Sequence, residues 1–163
     1  MSDQPSPEPI TSALSPETWR IDGPFDPVLA GKLMGKLGHP GFLDLAYGGH
    51  GPDWFEAVLP WREDLVGFGQ MDVLASGPVI SLFDTATAMA IWTRRGRFVP
   101  QVTLDLRIDY VRAAVPGRAV VARAECYQVR GDLSFVRALA HDGDIADPLA
   151  HATAIFMSTG EGE

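Results

Sequence analysis

The spacing of apolar and polar residues changes character several times along the chain. Asp26-Pro27 offers a capping side chain and a proline at the first helical position, and Val28, Leu29, Leu33, Met34 and Leu37 then recur at helical spacing up to Gly38. A short amphipathic helix is predicted there. Two apolar-rich runs, Phe42 to Tyr47 and Trp54 to Leu59, flank Gly48-Gly49-His50-Gly51-Pro52-Asp53, a segment crowded with turn formers, which predicts a hairpin. The run from Val79 to Trp92 is apolar on nearly every side and follows Ser76-Gly77-Pro78, the cap and start of a helix expected to lie inside the protein.

Beyond Thr93-Arg94-Arg95-Gly96-Arg97 the period drops to two. Val102, Leu104, Leu106, Ile108 and Tyr110 alternate with Gln101, Thr103, Asp105, Arg107 and Asp109, as in a long half-buried strand. Pro116-Gly117 and Arg130-Gly131-Asp132 are turns, and Ala122 to Tyr127, Phe135 to Ala140 and Leu149 to Met157 read as three further strands. The polar stretch His141 to Asp147 is expected to be a solvated connection between the last two. Strands in series joined by short turns make an antiparallel sheet, so the fold class is α+β: a long central helix wrapped by a curved sheet.

Composition narrows the setting. A chain of 163 residues with 46% hydrophobic and 21% charged side chains is of ordinary globular type and fits one domain. The first residues, rich in Pro, Ser and acidic groups, read as a mobile tail over 1–22, ahead of one domain over 23–163. The net charge of −8 gives no global attraction for nucleic acid or an anionic membrane. A lone cysteine, Cys126, excludes an internal disulfide, and the N-terminal residues lack the pattern of a signal peptide, so the expected location is the cytoplasm.

No nucleophile elbow, P-loop, dinucleotide fingerprint or His-Glu-x-x-His motif is present. The stretch Gly31 to Leu37 lacks the Ser or Thr of a phosphate loop, and His39, His50 and His151 read as isolated structural histidines. Neither a metal nor a cofactor is expected. Trp54, Trp61, Phe83 and Trp92 fit a core, with an acyl or aryl pocket as the alternative role. Asp84 stands apart as the only charged side chain between Ser76 and Trp92. A carboxylate in apolar surroundings is costly unless paired or used, and it suits a general base. Backbone N–H groups at Ser76 and Gly77, at the positive end of the helix, would polarise a carbonyl. Eight residues separate Ser76 from Asp84, about 12 Å along one helix, so a carbonyl touching both elements requires a second chain.

The segments VLASGPVISLFDTATAMA, VTLDLRIDYVRAAVPGRAVVARAE and HATAIFMSTG together resemble the hotdog-fold acyl-CoA thioesterases of the PaaI-like branch. The resemblance spans about Phe42 to Gly160. It implies an enzyme hydrolysing an acyl- or arylacyl-CoA, with Asp84 as nucleophile or general base. Ser76 and Gly77 then supply the polarising amides, and Thr103 helps to place the water. Three positions depart from the family pattern: Ala75 replaces a histidine, Ser76 a glycine, and Gly69 the Asn or Gln that orients the nucleophile, with Gln70 next door as its substitute. The alternative reading is a hotdog protein that binds acyl-CoA without cleaving it. A hotdog dehydratase is disfavoured because the helix carries no histidine. Arg94, Arg95, Arg97 and Arg112 are the candidate contacts for the coenzyme A phosphates, and the expected assembly is a homodimer that pairs into a homotetramer.

Overall fold

A computed structural model describes residues 24–68 and 72–160. The expected tail over 1–22, together with Gly69 and Gln70, lies outside the described residues. Two short helices open the fold, α1 (Pro27–Met34) and α2 (Gly38–Phe42), followed by the hairpin β1 (Ala46–His50) and β2 (Trp54–Leu59). A single 3-10 turn (Glu63–Leu65) leads to a small two-stranded ribbon, β3 (Val66–Phe68) and β4 (Val73–Leu74). The long helix α3 (Ser76–Arg95) follows. Four strands complete the chain: β5 (Gln101–Tyr110), β6 (Val120–Arg130), β7 (Leu133–His141) and β8 (Ala150–Ser158).

The main sheet is antiparallel, in the order β1-β2-β6-β7-β8-β5. Its inner face is built from small residues. Ala122, Ala124, Ala138, Ala140, Ala150, Ala152 and Ala154 are all buried, and they meet the large buried side chains Val79, Leu82, Phe83 and Ile91 of α3. Small residues on the sheet let the helix approach closely, and its bulk fills the concavity at the density of a protein interior. This is the expected α+β hotdog architecture: one long helix packed in a curved antiparallel sheet.

Several local expectations are corrected. The helix from Pro27 ends at Met34, and a second one-turn helix, α2, takes up Phe42, which was expected to begin a strand. The first strand therefore starts at Ala46 and runs through Gly48-Gly49 with a register shift between Tyr47 and Gly49; glycines expected in the turn serve as the bulge of an edge strand. Ser76 is not the cap of α3. Ala75 occupies that position in extended backbone (φ −61°, ψ 150°), with no side-chain cap. By contrast, α1 has its Asp26 carboxylate accepting from the amides of Val28 and Leu29. The segment His141–Asp147 is not wholly solvated either, because Asp142 is buried.

The strand β5 departs from strict alternation. A register shift between Thr103 and Asp105 leaves Leu104 as the extra residue of a bulge. Past it, Leu106 and Ile108 pack against the core, as expected. Ahead of it the sides are exchanged: Val102 and Leu104 are exposed, while Gln101 and Thr103 reach the helix. One inserted residue in a period of two reverses the faces.

Candidate active site

Asp84 and Thr103 meet. The Thr103 hydroxyl donates to Asp84 Oδ1 at 2.9 Å, a contact that exists because the bulge turns Thr103 toward α3. No hydrogen bond reaches the second carboxylate oxygen, Oδ2, among the described residues. Asp84 was expected inside an apolar helix but is half-buried: α3 buries Val79, Leu82, Phe83, Ala86 and Ala90 against the sheet and leaves Asp84 on its open side. On that side Ile80, one turn earlier, is also exposed, at 43%. The carboxylate thus has one oxygen fixed and one available, the state a general base requires.

The N-terminus of α3 lies two turns away, about 12 Å along the axis. Ser76 and Gly77 are exposed there, Pro78 has no N–H to offer, and no side chain caps the end. Amides at an uncapped helix start carry partial positive charge and bind anions or polarised oxygens. The Tyr110 hydroxyl donates weakly to the Ser76 carbonyl at 3.4 Å. Burial raises the Tyr110 pKa, so this phenol remains a neutral donor. Beside Ser76 a cleft of about 160 Å³ opens between α3 and the end of β5, lined by Val73, Val79, Tyr110, Ala113 and Leu149 among others.

The four arginines expected to meet coenzyme A divide into two groups. Arg112 is committed to the fold. Its guanidinium donates to both oxygens of buried Asp142 at 2.9 and 2.7 Å and to the Asp147 carbonyl at 2.7 Å, while the Val115 amide also donates to Asp142 at 2.7 Å. These donors hold the Asp142 carboxyl far below the usual carboxylate range. Arg94, Arg95 and Arg97 lie at the opposite end of α3 from Ser76. Arg94 donates to the Cys126 carbonyl and lies 3.7 Å from Asp53, and Arg95 donates to the Gly131 carbonyl and the Ser134 hydroxyl. Arg97 is exposed and has no side-chain partner among the described residues.

The aromatic candidates belong mostly to packing. Phe83 is fully buried, and Trp92 packs at a tilt against Phe25 and Phe98 while its indole donates to the Val99 carbonyl. Trp54 lies under the Arg123 guanidinium, 3.6 Å from the ring centroid. One polar contact on the open side of α3 had no sequence signal: His39 Nε2 lies 2.9 Å from the Ser81 hydroxyl, which in turn donates to the Gly77 carbonyl. The sequence shows His39 as isolated, since its partner is 42 residues away. No group of three metal-ligating side chains and no helix long and apolar enough to cross a membrane occurs among the described residues.

Known proteins place this geometry. Residues 72–148 match the family model of the thioesterase superfamily. No curated protein matches the sequence. Among solved structures, a Pseudomonas aeruginosa protein is 29% identical, covering 82% of this chain and 100% of its own, with a TM-score of 0.73. A thioesterase of Haemophilus influenzae is 18% identical over 85% of this chain and 95% of its own, with a TM-score of 0.70. The Escherichia coli PaaI protein, from the phenylacetic acid degradation operon, is 15% identical over 74% and 83%, with a TM-score of 0.65. Helix, curved sheet and matched sequence agree: the chain has the hotdog fold, and its resemblance is to the thioesterase superfamily, the PaaI protein among its structural neighbours.

Proposed function

We propose that the chain is an acyl-CoA thioesterase, hydrolysing an acyl- or arylacyl-CoA to the carboxylic acid and coenzyme A. The observation that carries this reading is the Asp84 carboxylate, held at one oxygen by Thr103 and open at the other on the unburied side of α3. Asp84 takes a proton from water as the water oxygen bonds to the thioester carbon. The resulting oxyanion rests on the amides of Ser76 and Gly77. The carbon–sulfur bond then breaks, and the thiolate takes up the proton from Asp84. Direct attack by Asp84 to form an anhydride, which water then opens, uses the same groups.

Because about 12 Å separates Asp84 from those amides on one helix, the two halves of a site come from two chains. A two-fold axis that brings Asp84 of one copy to the helix start of the other must cross α3 midway between them, near Ile80. Ile80 is the large apolar residue that α3 leaves exposed, which supports this placement. The ten-residue edge strand β5, free on one side among the described residues and carrying exposed Val102 and Leu104, is the edge that a second copy would cover. Exposed Tyr127 and Met157 on the outer sheet face favour pairing of two such dimers into a tetramer. Arg97, free of ion pairs among the described residues, is the best placed of the four arginines to meet the phosphates. The lone cysteine and a water-soluble substrate favour the cytoplasm. Gln70 next to Gly69 remains the proposed substitute for the family's orienting amide.

The second reading, binding without hydrolysis, is favoured by Ala75, which offers no polar side chain at the helix start. Thiol release from a panel of acyl-CoA esters separates the two, with Asp84→Asn as control. Turnover that disappears in the variant is the expected result; tight binding with no turnover on any ester overturns hydrolysis.

A further inference from the structure

Gly77 is held in the helix against the tendency of its own sequence. It has no side chain, and no side chain caps the start of α3 ahead of it. Pro78 follows, and a proline ring disfavours helical backbone in the residue before it, pushing that residue toward the extended region. Yet Gly77 lies within α3. Its backbone dihedral angles set how the amides of Ser76 and Gly77 are aimed relative to the rest of the helix, so a polarising pair requires that they be fixed.

A chain of hydrogen bonds from another element supplies the restraint. The Ser81 hydroxyl donates to the Gly77 carbonyl at 3.1 Å, and His39 Nε2, on α2, lies 2.9 Å from the same Ser81 oxygen. The hydroxyl has one proton and the Gly77 carbonyl takes it, so the imidazole is the donor in the second bond. Neutral His39 then carries its proton on Nε2, and the protonated ring donates from the same atom, so the chain holds in both states. A hydroxyl that accepts one hydrogen bond donates the other more strongly. Phe42 stacks on the imidazole, 6.3 Å between ring centroids and 19° between planes, and steadies its orientation. Resting on the thioesterase reading above, we infer that His39 is a positioning residue for the polarising amides: through Ser81 it clamps Gly77 in the helix against the preference that Pro78 imposes. The oxyanion forms only in the transition state, so loss of the clamp acts on kcat and hardly on KM.

The test compares His39→Ala with His39→Gln in the full chain. His39 is exposed, so truncation leaves the core intact, and glutamine keeps an N–H donor where alanine has none. On an acyl-CoA ester that the wild type hydrolyses, kcat is expected to fall at least fivefold in His39→Ala with KM within twofold, and to return to within twofold of the wild type in His39→Gln. Hydrogen exchange at the Ser81 amide, which the helix pairs with the Gly77 carbonyl, is expected to quicken at least fivefold in the alanine variant and to recover in the glutamine variant. Unchanged exchange in His39→Ala overturns the clamp, and so does a glutamine variant as impaired as the alanine one. Unchanged kcat overturns its part in catalysis, while turnover that still depends on Asp84 leaves the thioesterase reading standing. If no ester turns over, the hydrolytic reading fails, and the exchange rates alone decide the clamp.

Discussion

Asp84 and Asp142 are the same side chain in two contrasting situations. Asp142 is 5% exposed and receives three hydrogen bonds, two from the Arg112 guanidinium and one from the Val115 amide. Among the described residues Asp84 receives one, from a neutral hydroxyl, and it faces the open side of its helix. A buried carboxylate whose lone pairs are taken up by donors has little basicity to give, and its ionisation is locked to the folded state. A carboxylate held by one donor keeps an oxygen free to accept a proton. The number of donors, more than the depth of burial, separates the structural Asp142 from the aspartate proposed as the base.

The contrast breaks most sharply if both residues are removed in turn. Asp84→Ala is expected to lower thioester turnover by about 10²–10⁴-fold, the usual worth of a general base, with little change in the melting temperature. Asp142→Ala is expected to do the reverse. It removes the buried carboxylate that takes two bonds from the Arg112 guanidinium and one from the Val115 amide, so the melting temperature should fall by on the order of 5 °C or more. Kinetics and thermal unfolding on the same two variants check both halves. Loss of activity in Asp142→Ala at temperatures where it stays folded would erase the distinction.

Acid sharpens it further. Asp142 has its carboxyl pKa depressed in the folded protein by the Arg112 hydrogen bonds. Its contribution to stability is therefore complete above the unfolded carboxylate value, about 3.9, and is lost as pH falls below that toward the folded value. Denaturant midpoints measured from pH 6 down to pH 2 are expected to drop more steeply for the wild type than for Asp142→Asn, which has no such proton to bind. Parallel profiles for the two proteins would show that the pair carries no linkage.

The two aspartates were not equally legible in the sequence. Asp84 is conspicuous as one charge in an apolar helix, and the spacing of Ser76, Gly77 and Asp84 is what motivates the proposal of a site shared by two chains. Asp142 was hidden, since its partner Arg112 lies 30 residues away and polar residues between strands look solvated until the fold brings them together. The course of β5 is hidden for a related reason: a strict alternation cannot reveal an inserted residue, so the period puts Thr103 on the outer face, whereas the bulge turns it to Asp84. Ser76 as a cap failed because Ala75 already holds the extended backbone that ends the helix. Periodicity reports the neighbours within one element, and the errors all concern what another element presents.

Thr103 connects the two sides of the comparison, being the only donor on Asp84 among the described residues. Thr103→Val keeps the shape of the side chain and removes the hydroxyl. If Asp84 acts as the base, the loss of that bond frees its carboxylate to rotate out of line, so kcat is expected to fall about tenfold while KM hardly moves. Thr103→Ser retains the hydroxyl and should recover most of the rate. A surface pair shows what an exposed carboxylate contributes by comparison: Arg137 bridges Glu125 at 3.0 Å on the outer face, with the arginine side chain 64% exposed. Arg137→Ala is expected to shift the melting temperature by less than about 2 °C and to leave turnover unchanged, since solvent and salt screen such pairs. A tenfold loss of rate there would mean that charge anywhere on the sheet controls Asp84, and Thr103 would then lose its particular standing.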